Sequence, residues 1–346
     1  VDGTELSGYN ARMDSEPTSW NVKVGLSAVV VSVPEGTARV LTVGEGDPLL
    51  PYGEFDPSRH RTVELGLRSG VDALTGLSLG YVEQLYTFGN RHRAPSEDER
   101  IRMITIGYLA LLGPDASPEA PNSRWSDWYS FLPWEDHRQG RPGLIDELLL
   151  PQLERWAQQA AEPDAFDLRQ ERIRVAFGHG RFPWDPEKVL PRFELLYEAG
   201  LVAESHRDWN SRPAPERMEL PISRSDMGNP ELADVVRRTG VAMGHDHRRI
   251  LASSLGRLRG KIVYRPVIFE LMPPEFTLLR IQRVAEALSG VLLHKQNFRR
   301  LVIQGGLVKE TGNRDTSNPG RPAALFRFRR SVLQERLAPG VGLPQA

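Results

Sequence analysis

Thr277-Leu278-Leu279-Arg280-Ile281-Gln282-Arg283-Val284-Ala285-Glu286-Ala287-Leu288-Ser289-Gly290, followed closely by Lys295-Gln296-Asn297-Phe298-Arg299-Arg300-Leu301-Val302, is the stretch that decides the C-terminal fold. Pro273-Pro274 halts a preceding segment, Val267-Ile268-Phe269, which reads as a strand. Thr277 is then placed as an N-cap, its hydroxyl accepting from an unpaired first-turn amide, and Ser289-Gly290 closes the helix. In the second helix Phe298, Leu301 and Val302 are expected to face a core, leaving Lys295, Gln296 and Asn297 outward on the first turn and Arg299 and Arg300 on the next. A helix, a short turn and a second helix that opens on hydrogen-bonding side chains is the arrangement that reads base edges in the major groove. Gln or Asn can bond adenine, Arg or Lys can bond guanine, and further cations can hold phosphates.

Moving outward, Leu307-Val308-Lys309 and Leu325-Phe326-Arg327-Phe328 alternate like two strands, and the Gly-, Asn- and Pro-rich segment between them is suited to be a wing. Its Arg314 and Arg321 are candidates for backbone or minor-groove contacts. The candidate DNA-contacting set is therefore Thr277, Lys295, Gln296, Asn297, Arg299, Arg300, Arg314 and Arg321. Charge supports it. Residues 241–346 hold 18 Lys and Arg against 7 Asp and Glu, a net of +11, whereas the preceding 240 residues carry 26 against 38, a net of −12. The overall −1 hides this division. A basic unit on an acidic body suits an anionic polymer, since each phosphate contact releases counterions.

Upstream, 24–33 and 38–43 are rich in β-branched residues around Pro34-Glu35-Gly36 and read as a hairpin. A helix is expected over 61–74, stopped by Thr75-Gly76, with strands at 81–88 and 101–112 and a Pro- and Ser-rich linker at 113–122. From Trp125 to 204 the chain reads as helical and opens on Trp125, Trp128, Tyr129, Phe131 and Trp134, whose large rings are expected to be core. This segment is acidic, 9 basic against 13 acidic residues over 141–210, so no DNA contact is expected of it. A motif at 195–204 echoes 301–310, each a helix closed by Gly before a strand. After a polar connection at 205–230, residues 245–261 show the spacing of an amphipathic helix. The fold class is α+β, an α/β/α sandwich with a helical insertion and a C-terminal winged helix-turn-helix, divided as 20–112, 123–230 and 231–336.

The absence of cysteine excludes disulfides, thiolate zinc sites and thiol nucleophiles. The apolar run 101–112 contains Arg102 and is too short for a bilayer, and the polar N-terminus has no signal-peptide core, so a cytoplasmic protein without a membrane partner is expected. His245-Asp246-His247 invites a metal reading, but residues i and i+2 point to different sides of a helix; starting and capping the helix is the preferred role, and no metal is assigned.

Leu50-Pro51-Tyr52-Gly53-Glu54-Phe55 resembles the Pro-Gly-Gly-Phe entrance to a Nudix domain, and Thr75-Gly76-Leu77 the end of its signature helix. A working Nudix helix carries glutamates that bind Mg²⁺ and activate water. Counting back from Gly76, the two metal-binding positions fall on Ala73 and Leu74 and the upstream Arg-Glu pair on Ser69 and Gly70, so no catalytic residue is assigned. Together with Tyr81-Val82-Glu83-Gln84-Leu85-Tyr86-Thr87-Phe88-Gly89, His245-Asp246-His247-Arg248-Arg249, Arg257-Leu258-Arg259-Gly260-Lys261, Lys295-Gln296-Asn297-Phe298-Arg299-Arg300 and Gly320-Arg321-Pro322-Ala323-Ala324-Leu325-Phe326-Arg327-Phe328, these motifs resemble the Nudix-related transcriptional regulators of NAD metabolism, the NrtR family. The likeness covers roughly 24–112 and 243–330 and is greatest to the longer alphaproteobacterial subgroup, NadQ, and the helical insertion is matched only to that subgroup.

The resemblance implies a homodimer on a palindromic double-stranded operator, repressing genes of NAD synthesis or uptake in response to an adenine nucleotide effector, ATP, NAD or ADP-ribose. Arg61, Arg68, Arg91 and Arg93 flank the expected pocket as phosphate candidates, and Tyr52, Phe55, Tyr86 and Phe88 are candidates to stack on adenine. Two other readings stand beside it: a Nudix-type pyrophosphohydrolase acting on ADP-ribose or a related nucleotide, and a nonspecific nucleic-acid-binding scaffold.

Overall fold

The computed structural model describes residues 21–90, 93, 101–212, 230–316 and 322–333. Its centre is β1 (Asn21–Ser32), an almost uninterrupted apolar strand buried on both faces over its second half. Alternation splits it: Leu26, Ala28 and Val30 join one core, Val29 and Val31 the other. A tight turn at Pro34–Gly36, with Glu35 and Gly36 at positive φ, returns the chain into β2 (Arg39–Val43), as the hairpin reading requires. β3 (Tyr52–Glu54) pairs with the first half of β1, and β5 (Ile101–Leu111) runs parallel to its whole length, while β4 (Tyr81–Phe88) forms the outer edge beside β5.

On one face lies α1 (Val63–Thr75), capped by the Thr62 hydroxyl at 3.2 Å and ended by Gly76 in the left-handed region. Gly66 lets this helix approach the sheet: a Cβ there would fall 2.9 Å from the His60 ring and 3.1 Å from Leu26. On the other face lies α7 (His247–Tyr264), so helix, sheet and helix form the expected three layers.

Several expectations need correction. The helical reading from Trp125 fails at its start, because Ser123–Asp127 is strand β6, paired antiparallel with β2 across the presumed linker. Thr42 and Ser126 share a 2.8 Å hydrogen bond on this pair. Beyond it the chain is helical as expected, through α2 (Leu150–Gln158), α3 (Pro163–Phe177), α4 (Val189–Glu198) and α5 (Ala203–Asn210). Trp128, Tyr129, Phe131 and Trp134 are core; Trp125 is half-buried, its indole donating to the Ala116 carbonyl at 2.9 Å. The 195–204 echo holds only as far as its glycine: Gly200 ends α4 and α5 follows, with no strand. That same helix takes the first residues of the expected polar connection.

After α6 (Pro230–Arg238) and the turn at 240–246, α7 buries Ile250, Leu251, Leu255 and Leu258 as their spacing requires, but its burial reaches beyond that stripe to Arg248, Ser253, Ser254, Gly256 and Arg259, between the sheet, α4 and the C-terminal unit. Asp246 occupies its N-cap position without a side-chain cap bond, turning instead to Arg249 at 3.0 Å, and His247 accepts the Leu50 amide at 3.0 Å, so the proposed capping role is not what this triplet does. The expected strand at 267–269 is instead a 3₁₀ segment, Pro266–Leu271, because Pro266 enters it and Ile268, Phe269 and Leu271 all turn inward. Then come α8 (Leu278–Ser289), α9 (Lys295–Gln304), β7 (Val308–Asp315) and β8 (Ala323–Phe328). Among the described residues no helix is long and apolar enough to cross a membrane.

Candidate functional site

The C-terminal unit is built from its phenylalanines. Phe269 stacks on Phe328 with ring centroids 4.2 Å apart and meets Phe276 at 5.8 Å, while Phe298 and Val302 seat α9 on this core. Phe276 and Phe326 exchange backbone hydrogen bonds at 2.8 and 2.9 Å, joining the residue before the N-cap of α8 to β8 and hence to β7. Gln282 and Glu286 hold the inter-helix turn, with Glu286 accepting from the Leu293 amide at 3.0 Å and from Gln282 at 2.9 Å. The result is two helices followed by a two-stranded ribbon.

That scaffold presents Lys295, Gln296, Asn297 and Arg300 to solvent, with Arg299 half-buried. Leu301, expected inward, is 40% exposed, because Phe298 and Val302 already define the inner line. Thr277 Oγ1 accepts the Arg280 amide at 3.2 Å, so its observed work is capping α8. β7 reaches further than the alternation suggested, into the expected wing, accommodating a register shift between Glu310 and Arg314 at Gly312. Arg314 is exposed on this ribbon, Asn313 bonds the Glu275 carboxylate at 3.0 and 3.1 Å, and Arg321 lies outside the described residues.

The second feature is a small cleft between β3 and α1, lined by Leu26, Pro51, Tyr52, Gly53, Glu54, His60, Gly66, Leu67, Gly70 and Val71. It lies at the motif that resembles a Nudix entrance. On α1 the positions that would need carboxylates are Ala73 and Leu74, both exposed, and its acidic side chains are Glu64, paired with Arg68 at 2.8 Å, and Asp72. No cluster of three His, Asp or Glu suited to a metal occurs among the described residues.

The nucleotide candidates scatter. Tyr52 lines the cleft and leans on His245 and His247 at 5.2 and 5.3 Å, while Phe55 packs near His60 at 5.9 Å. Arg61 is exposed just before α1, and Tyr86 is exposed on the edge strand. Arg68 is committed to Glu64 and to the Leu79 and Gly80 carbonyls. Phe88 is core, under the Arg249 guanidinium. Arg93 is 9% exposed, bidentate to Glu194 and 3.7 Å above the Tyr197 ring. Arg91 lies outside the described residues.

Sequence reasoning missed the buried ionic joints. Glu135, entirely buried, receives Arg192 at 2.6 and 2.9 Å and Arg259 at 2.5 Å. Burial alone would raise its carboxyl, but the two guanidiniums prevail and hold it below the ordinary range. Nearby, Arg248 is buried against Glu204 at 3.0 Å and donates to the Phe131 and Thr239 carbonyls. Burial pushes Asp246 up to about 6 and His247 down to about 3. The available signal was the run of small residues on α7: a Cβ at Gly256 would sit 2.6 Å from the Glu187 carbonyl oxygen, and one at Gly260 2.8 Å from its carboxylate.

Comparison with known proteins agrees with the reading of the C-terminal unit. Residues 268–328 match the family described as the NrtR DNA-binding winged helix domain. A relative named ADPR responsive transcriptional repressor NtrR, from Acinetobacter baylyi, is 28% identical over 192 residues, covering 54% of this chain and 74% of that protein. Among solved structures, Shewanella oneidensis NrtR is similar at a TM-score of 0.49 and 19% identity over 88% of this chain and 94% of that one. The same protein complexed with a 27mer DNA gives 0.48 and 18% over 88% and 93%. A MutT/nudix family protein from Enterococcus faecalis gives 0.48 and 14% over 91% and 89%.

Proposed function

We propose that this chain is a DNA-binding transcriptional repressor whose Nudix-like sandwich senses an adenine nucleotide, with ADP-ribose the foremost candidate among ADP-ribose, NAD and ATP. The observation that carries the reading is the C-terminal unit: a winged helix of NrtR type, on the +11 part of the chain, whose α9 turns Lys295, Gln296, Asn297 and Arg300 to solvent. A cationic recognition helix beside a ribbon that exposes Arg314 would supply both base-edge and phosphate contacts. The named activity of the Acinetobacter baylyi relative favours ADP-ribose. A cytoplasmic homodimer on a palindromic operator follows naturally, since two-fold protein and two-fold site match one recognition helix to each half-site.

Sensing needs no hydrolysis, and α1 offers none of the paired carboxylates on which Mg²⁺-dependent pyrophosphate cleavage depends. The decisive experiment is a mobility-shift titration of the full chain on its own upstream region and those of NAD-biosynthesis genes, with and without each nucleotide. A specific shift altered by ADP-ribose supports the proposal. Equal affinity for random duplexes, or Mg²⁺-dependent release of AMP from ADP-ribose, would overturn it.

A further inference from the structure

On α9 the buried pair Phe298 and Val302 fixes the inward line. At 3.6 residues per turn the side turned away from that line centres on Arg300, with Gln296 and Gln304 about 40° to either side and Ile303 about 60° round on the Gln296 side. Ile303 leaves 50% of its surface in water. A lone surface apolar residue is ordinary, but this one shares a stripe with the polar side chains of the proposed recognition helix. Gln296, Arg299, Arg300 and Ile303 stand at i, i+3, i+4 and i+7, the spacing with which a homeodomain helix reads bases. At 1.5 Å per residue the stripe is about 10 Å long, commensurate with a major groove about 12 Å wide.

The geometry points to Ile303 as an apolar base reader that packs on the C5-methyl of a thymine in the half-site contacted by Gln296 and Arg300. That methyl is the apolar group the major groove displays, and the other base edges there present donors and acceptors. Isoleucine can satisfy none of those, so placing it against them would strand a desolvated polar group. The assignment rests on the DNA-binding reading above, and the test separates the two.

Full-length wild type and Ile303→Ser are each used to select duplexes from a random library. The wild type is expected to enrich a site with a thymine at a fixed position that Ile303→Ser no longer requires. Replacing that thymine by deoxyuridine, which leaves the protein untouched, should weaken wild-type binding about fourfold per half-site, the fold-change equivalent to burying one methyl at about 0.8 kcal/mol. The same replacement should leave Ile303→Ser unaffected. Identical motifs from both proteins, or indifference to deoxyuridine at every thymine, would overturn the assignment while sparing the DNA-binding reading. A wild type that enriches no motif overturns both. Conversion of a dimer to a monomer by Ile303→Ser with the thymine requirement intact would assign the residue to a contact with a second copy instead.

Discussion

Replacing Glu135 by Gln keeps the shape of the side chain and removes its charge. Glu135 and Arg192 are 0% exposed and Arg259 1%, so two guanidiniums would stay buried with no anion between them. Breaking a buried ion pair in this way costs about 3–5 kcal/mol, against a total stability of roughly 5–15 kcal/mol for a typical fold. Remaining hydrogen bonds soften the loss, since Arg192 keeps the Ala176 and Asp185 carbonyls and Arg259 the Leu288 and Pro186 carbonyls. Their full use as acceptors places Glu135→Gln near the lower end, about 3 kcal/mol. Urea unfolding followed by tryptophan fluorescence reads this directly, because Trp184 lies 3.8 Å from the Arg192 guanidinium and Trp134 is buried beside the site. The triple change Glu135→Leu, Arg192→Met, Arg259→Met should recover little of the loss: it avoids the desolvation of three charges, but it strips the Ala176, Asp185, Leu288 and Pro186 carbonyls of their donors at about 1–3 kcal/mol for each one left unpaired. A Glu135→Gln protein within about 1 kcal/mol of wild type would refute the reasoning, as surface pairs lose no more than that.

Gly290→Ala should destabilise by more than about 1 kcal/mol, visible as a lowered urea midpoint, because Gly290 has φ 76° and a Cβ would run into the Glu135 carbonyl oxygen. Acid should also destabilise. His247 is held down to about 3 and His137 to about 4, both chiefly by burial, so from pH 6.5 to 4 the unfolded chain binds protons at these sites that the folded chain does not, and their stability is lost as pH falls. Asp246, pushed up to about 6, acts oppositely, its contribution being complete at low pH and lost as pH rises through 6. It offsets roughly one proton, so Asp246→Asn should steepen the acid limb by about 1.4 kcal/mol per pH unit between pH 4 and 6. Thermal or urea midpoints over that range check this, and an unchanged slope would count against it.

How much of this was legible in the sequence depends on how local the signal is. Thr277 and Gly290 delimit α8 by capping chemistry within a turn, and Thr62 and Gly76 do the same for α1, so both helices could be placed from neighbours alone. The β-branched run of β1 announced a strand and its hairpin, and the structure adds that its second half is buried on both faces. β6 was missed because Trp125 belongs to an aromatic cluster that reads equally as helix, and only pairing with β2, more than 80 residues away, resolves it. α7 was legible only in part: Ile250, Leu251, Leu255 and Leu258 gave its buried stripe, but nothing local announced that Arg248 and Arg259 are buried against Glu204 and Glu135. Of the nucleotide candidates among the described residues, Tyr52 alone lines the β3–α1 cleft, whereas Arg93 lies in an ion pair that no local pattern could reveal.

Those long-range joints also constrain how a signal could leave the sandwich. The last carbonyls of a helix have no intrahelical partner, and on α8 they are taken by the body of the protein: the Tyr129 hydroxyl donates to Ala287 at 2.8 Å and Arg259 to Leu288 at 3.2 Å, while the His137 amide donates to Gly290 at 2.7 Å. Beside them the β1–β2 turn touches the same helix, where a Cβ on Gly36 would be 3.2 Å from that of Arg283. Swinging the winged helix against the sandwich would break all of these at once, leaving buried polar groups unpaired at about 1–3 kcal/mol each. In the proposed dimer the cheaper response to an effector is therefore a rigid rotation of one protomer against its partner. The absence of cysteine makes this measurable, since exposed Asp115 and Glu310 can each be replaced by a single spin-labelled cysteine. With labelled protomers diluted in unlabelled ones, the distance within a chain should not change on adding ADP-ribose, whereas the distance between two protomers labelled only at 310 should. A shifted intrachain distance with a fixed interprotomer one would mean that the carbonyl contacts of α8 yield, and that head and body move independently.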